Sequence, residues 1–179
     1  TTMGNSYPLL RISSPQNLAK FDRLVEINRR LADPRGLSEA DAKKLALEGK
    51  PFYFLYATIH STEVSNGQAI IHIVHRLATE SSPEIRAILD NSVVLLVPSQ
   101  NPDGQALVID HWYKTKGTPL ARVYPDLYHK YVGHDNNRDG YMLNMIESRV
   151  LEHAWREWEP QIIHVHHQSS PFPTRIWLP

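Results

Sequence analysis

Phe52-Tyr53-Phe54-Leu55-Tyr56-Ala57-Thr58-Ile59-His60-Ser61-Thr62-Glu63 is the stretch on which the reading of this chain turns. Phe52 to Ile59 is a continuous apolar and aromatic run, the pattern of a strand buried on both faces. His60 and Glu63 follow it three residues apart, where the strand hands over to a helix. Two such side chains can reach one ion from adjoining backbone positions. Zinc takes imidazole nitrogen and carboxylate oxygen at about 2.0–2.2 Å, and a catalytic site combines three protein ligands with one position left for water. His-x-x-Glu is common by itself, and a helix N-terminus capped by Thr62, with Glu63 facing the dipole, would also account for it. A third ligand at another strand end would decide between the two.

Working outward, Tyr7 to Ile12 reads as a short strand. The apolar spacing from Asn17 to Leu31 predicts a helix stopped by Asp33-Pro34-Arg35-Gly36, and Ser38 opens a second, charged helix ending near Gly49. Glu63 to Ala78 is helical, with Val64, Ala69, Ile70, Ile73, Val74 and Leu77 forming its apolar face. Pro83 stands in the first turn of another helix. Ser92 to Pro98 is a second buried strand, followed by an Asn101-Pro102-Asp103-Gly104 turn and a helix over Ala106 to Trp112. Lys114 to Tyr131 reads as an irregular surface excursion. Met145 to Trp158 is the last helix, and Ile162 to His166 the last strand. The alternation predicts an α/β fold: a mostly parallel or mixed central sheet with helices on both faces. Residues 1–179 read as one domain, and the strand-like Arg175 to Leu178 suggests that the sheet is incomplete at the C-terminus. Ligands of such sheets gather beyond the carboxyl ends of the strands, where His60, Asn101 and His167 all fall.

The third ligand is sought in Ile162-Ile163-His164-Val165-His166-His167-Gln168. Side chains alternate along a strand, so His164 and His166 share a face while His167 lies opposite or just past the end. Periodicity leaves His164, His166 and His167 open as alternatives. Gly133-His134-Asp135-Asn136-Asn137-Arg138-Asp139 gathers hydrogen-bonding groups in one loop. A guanidinium beside an amide suits a carboxylate, and Asp135 can accept the free N–H of a metal-bound imidazole. A polar turn with a surface ion pair is the plainer account of the same residues. His72 and His75 read as half-exposed helix residues, and Trp155, Trp158 and Tyr141 as packing residues.

Nineteen basic residues balance nineteen acidic ones, which does not favour a nucleic acid or an anionic membrane surface as the partner. There is no cysteine, so disulfides and thiolate metal sites are excluded. No run of apolar residues is long enough for a membrane-spanning helix.

Together the His60–Glu63 pair, Asn101 to Gly104, Gly133 to Asp139 and the His-His-Gln strand resemble the M14-type zinc carboxypeptidases, in the family's order and over about two thirds of the chain. Tyr131-Val132-Gly133-His134-Asp135-Asn136-Asn137-Arg138-Asp139 is most similar to a bacterial branch. The resemblance implies one Zn2+ ion held by His60, Glu63 and His167, with Asp135 orienting the first histidine. It also implies that Asn137 and Arg138 grip the terminal carboxylate of a peptide or small amide substrate. The chain would then be the N-terminal portion of a zinc-peptidase-like catalytic domain, exported from the cell.

Two departures from the pattern stand out. Where the family carries an arginine that polarises the scissile carbonyl, Trp112 is followed by Tyr113-Lys114, and Lys114 is the available substitute. No glutamate follows His167, so the general base is expected beyond Pro179, and residues 1–179 alone are expected to hydrolyse little. The rival expectations are a zinc-dependent deacylase of N-acyl amino acids and a catalytically dead peptide- or carbohydrate-binding domain.

Overall fold

Two parallel strands buried on both faces, β2 (Phe52–Ala57) and β3 (Val93–Val97), form the centre of the fold. The computed structural model describes residues 1–122 and 136–168. In it β1 (Leu10–Ile12) pairs antiparallel with β3, and β4 (Ile162–His166) pairs parallel with β2, giving the order β1-β3-β2-β4. The sheet is therefore mixed and mostly parallel.

Alternation along the strands divides the apolar side chains into two layers. Phe52, Phe54, Tyr56, Val93, Leu95 and Val97 face α2 (Phe21–Ala32) and α7 (Ile146–Trp158), which contribute Phe21, Leu24, Val25, Leu151 and Ala154. Leu55, Ala57, Val94 and Leu96 face α4 (Val64–Thr79) and α5 (Pro83–Asn91) through Ile70, Leu77 and Ile85. Helices thus cover both faces, as the alternating pattern requires. β4 differs from the two central strands: Ile162 and Ile163 on this edge are exposed. No helix among the described residues is long and apolar enough to cross a membrane.

Several boundaries differ from the sequence reading, each for a local reason. The first strand begins at Leu10 rather than Tyr7, because Pro8 has no N–H to give to a ladder. The helix expected from Asn17 is two helices, α1 (Pro15–Ala19) and α2, which part at Lys20 (φ −109°, ψ 14°). Ser14 caps the first through Asn17 N and leaves Leu18 exposed. The charged helix α3 (Glu39–Glu48) starts where Ser38 accepts from Asp41 N. Asn101 to Gly104 is not a free turn: Asn101 is the cap of α6 (Pro102–Thr115), accepting from Gly104 N at 2.9 Å with Pro102 in the first turn. Lys114 consequently belongs to a helix, not to an irregular excursion. A 3-10 turn follows at Pro119–Arg122, and residues 123–131 lie outside the described residues. On α4 the expected apolar face holds at Ile70 and Leu77, whereas Val64 and Ala69 are exposed. Trp155 and Trp158 pack on the first layer, but Tyr141 is 82% exposed and packs little.

Connectivity places the site. The chain leaves β2 through α4 and α5 to reach β3 on one side, then returns through α6 and α7 to β4 on the other side of β2. The order of the strands reverses at β2, and a crevice opens at the carboxyl ends there. Leu95 is fully buried in the middle of this framework. Leu95→Ala is expected to lower unfolding stability by about 2–5 kcal/mol, whereas Leu47→Ala, at a residue 89% exposed, should change it by no more than about 0.5 kcal/mol. Urea unfolding followed by circular dichroism measures both.

Candidate metal centre

At the end of β2 the chain leaves the sheet through Thr58, which adopts φ 61°. A positive φ is a strained conformation for a β-branched residue. The Thr58 hydroxyl donates to Pro98 O at 3.3 Å, and Gln100 N donates to Ala57 O at 2.8 Å, so the bend is braced by the segment after β3. Ile59 follows with its carbonyl accepting from Asn136 Nδ2 at 2.6 Å and Asn101 Nδ2 at 3.5 Å. His60 emerges from this doubly held peptide. Ser61 next to it is buried and donates to Asn101 O at 3.1 Å.

Glu63 occupies the N-cap position of α4 without capping it. The account of this segment as a helix start capped from within therefore does not hold: the Glu63 side chain makes no capping bond and turns instead towards the strand ends. His60 Nδ1 lies 2.9 Å from Glu63 Oε1, and His167 Nδ1 lies 3.2 Å from each carboxylate oxygen. The two imidazole centroids are 5.0 Å apart with the rings tilted by 43°. One nitrogen from each ring and one carboxylate oxygen all fall within 4.8 Å of one another, the one such metal-type group of three among the described residues. Ligands about 2.1 Å from a tetrahedral ion sit roughly 3.4 Å apart, so this donor set needs little rearrangement to close on zinc. Two imidazoles and a carboxylate are also the mixed nitrogen and oxygen set that zinc accepts.

Further groups hold Glu63. Asn66 Nδ2 donates to Oε2 at 3.0 Å and to His166 O at 3.1 Å, while Gln168 N donates to Oε2 at 3.0 Å. The Gln168 side chain in turn accepts from Ser65 Oγ at 2.7 Å and Ser65 N at 3.2 Å. The start of α4 and the end of β4 are thereby fastened together. Asn66 was not singled out in the sequence, although a polar residue one turn after Glu63 on a mostly apolar helix is a readable signal.

The candidates from the last strand separate by face. His166 and His164 stack on each other, with centroids 4.3 Å apart, and the Tyr53 hydroxyl hydrogen-bonds His164 Nδ1. His166 is held below the usual histidine range by burial and by the neighbouring His164. His167 lies one residue past the strand and is the one of the three that meets His60 and Glu63. Asn137 sits beside it, its amide nitrogen 3.4 Å from His167 Nε2. Turned over, the same amide would present its oxygen to an Nε2–H. Arg138 is exposed, with its guanidinium 3.5 Å from Asn137 O.

Not every candidate joins the group. Asp135, with Gly133 and His134, lies outside the described residues. Lys114 is exposed in the last turn of α6, whose first turn starts at the site through Asn101. At 1.5 Å per residue the helix carries it about 20 Å from that end, which removes it from the group. His72 and His75 are exposed on α4, as their isolation in sequence implied. A cavity of about 470 Å³ between α2, α3 and the segment before β4 opens at the opposite end of the sheet and takes no part in the site.

The comparisons agree with this geometry. No curated protein matches the chain. The sequence model of the zinc carboxypeptidase family matches residues 1–170 of the 179. A match over nearly the whole length, joined to a mixed sheet with a His–Glu–His group at its carboxyl edge, leaves one assignment: this chain belongs to the zinc carboxypeptidase family.

Proposed function

We propose that the chain carries the metal centre of a zinc-dependent carboxypeptidase that removes residues from the C-termini of peptides, with His60, Glu63 and His167 as ligands of one ion. The observation that supports this most is the meeting of the two Nδ1 atoms and the Glu63 carboxylate at the ends of β2 and β4. Zinc bound there would polarise the scissile carbonyl and lower the pKa of a water molecule to about 7.

The chain's own residues would serve that chemistry by holding geometry. Asn66 and the Gln168 N–H restrain the Glu63 carboxylate, so that an ion meets an oxygen already aimed. Asn137, against His167 Nε2, would keep that imidazole turned with Nδ1 towards the ion. Arg138, exposed next to it, is free to swing onto a substrate carboxylate and form two parallel charge-assisted bonds. An anchor for a terminal carboxylate beside the metal places the cleaved bond near the chain end. Asp135 is proposed to accept from the first histidine, on the resemblance of its loop alone. Taking the proton from the water is assigned to a glutamate beyond Pro179, on the same resemblance.

Metal binding tests the ligand set directly. Chelator-stripped protein is expected to take up one zinc ion per chain. His60→Ala, Glu63→Gln and His167→Ala should each weaken the affinity more than about a hundredfold, exceeding the 10–100-fold typical of partners that only orient a ligand. His166→Ala should stay within a few-fold. Competition with a chromophoric chelator gives these constants, and a wild-type protein without zinc affinity would end the proposal.

Substrate choice tests the anchor. A protein that carries this chain together with the glutamate proposed beyond Pro179 should hydrolyse blocked dipeptides with a free C-terminal carboxylate and leave their C-terminal amides intact. Arg138→Ala should raise KM by about tenfold to a hundredfold, the loss of a charged hydrogen-bonding partner worth about 1.5–3 kcal/mol. Faster turnover of N-acyl amino acids than of blocked dipeptides would instead mark an amide deacylase.

A further inference from the structure

Beside the metal centre, on the α7 side of the sheet, lies a cavity of about 60 Å³ whose wall includes Tyr56, Ile59, Asn136, Ser148, Glu152 and Trp155. Two buried polar atoms of residues on this wall, Asn136 Oδ1 and Trp155 Nε1, have no hydrogen-bond partner among the described residues. One is purely an acceptor and the other purely a donor.

The orientation of Asn136 is fixed by its other end. Nδ2 donates to Ile59 O at 2.6 Å, and turning the amide over would set oxygen against oxygen. Oδ1 is therefore held away from Ile59 and must find a donor elsewhere. Trp155 is similarly fixed, its ring packed edge-on to Phe54 with centroids 6.3 Å apart and tilted against Tyr56 at 6.1 Å. The Glu152 carboxylate on the same wall is engaged by Arg156. Leaving a buried donor and a buried acceptor unsatisfied is unfavourable, and water is the small species that can accept from one and donate to the other. The volume has room for one to a few water molecules.

We propose that this cavity is an internal water site, and that Trp155, through the water it holds, positions Asn136 and with it the Ile59 carbonyl from which His60 projects. Trp155 is then a positioning residue of the metal centre, one that touches neither metal nor substrate. This role rests on the ligand set proposed above.

Trp155→Phe keeps an aromatic ring in the layer and removes the N–H. It is expected to weaken zinc binding by about threefold to tenfold, less than loss of a direct partner to a ligand. Trp158→Phe, in the same apolar layer but packed on Phe21 instead of this cavity, serves as the structural control: it should lower the unfolding midpoint without moving the zinc constant. In the metal-free wild type, the indole N–H of Trp155 should show a magnetisation-transfer cross-peak to water in 15N-resolved spectra. A wild-type zinc constant in Trp155→Phe, or a shift of the same size in Trp158→Phe, would overturn the positioning role. A dry Trp155 indole would overturn the water site. If the wild type binds no zinc, the ligand set fails and the positioning role with it, while the indole cross-peak still decides whether the cavity holds water.

Discussion

The carboxylate of Glu63 joins segments that are a hundred residues apart in sequence. It faces Nδ1 of His60 and of His167, and accepts from Asn66 on its own helix and from the main-chain N–H of Gln168 past β4. A carboxylate with only 15% of its side chain exposed is unfavourable unless it is paired or hydrogen-bonded. These contacts meet that requirement, and they also fasten the start of α4 to the end of β4. The same cluster is therefore both a structural clamp and a donor set. A cation entering it would replace the imidazole–carboxylate contacts and would leave the Asn66 and Gln168 contacts in place.

The position of the clamp follows from the path of the chain. Parallel strands require crossovers, and successive crossovers that move in opposite directions from β2 leave a gap between the loops at its carboxyl end. Thr58 opens the way into that gap, because a residue at φ 61° cannot continue the pleat. Hydrogen bonds from Thr58 and Gln100 hold the strained bend, and the amides of Asn101 and Asn136 hold the peptide that follows. Strain at the one residue that redirects the strand is thus met by groups from the neighbouring strand end.

Much of this could be read from the sequence, for physical reasons that also mark where reading stops. Strands buried on both faces announce themselves by unbroken apolar runs, so β2 and β3 were plain. β4 was found by its β-branched apolar residues, but its exposed edge was invisible, since Ile162 and Ile163 carry the same hydrophobicity whether covered or not. His60 and Glu63 were legible because three-residue spacing after a buried strand is local information. Choosing between His166 and His167 needed the register of β4 on β2, which pairs Ala57 with His166 and so turns His167 past the ladder. Asn101 to Gly104 reads as a turn because Asn-Pro-Asp-Gly carries both turn and helix-start chemistry, and the structure makes it a helix start. The same ambiguity conceals how far α6 carries Lys114 from the site. Thr58 left no signal, since nothing in a threonine foretells a left-handed backbone.

Among the described residues, amides recur around the ligand group: Asn66, Asn101, Asn136, Asn137 and Gln168. This choice has an electrostatic consequence. An amide satisfies a buried carbonyl, carboxylate or ring nitrogen with both donor and acceptor capacity and adds no net charge. A second carboxylate in their place would compete for the cation and raise the charge of the set, and a lysine would oppose the cation outright. With neutral imidazoles, the proposed ligands carry a single negative charge, that of Glu63, against the two positive charges of zinc. An ion held by these residues would keep surplus positive charge, which would favour bound hydroxide over water. Amides at these places would therefore leave more of a bound metal's charge available for chemistry than carboxylates would.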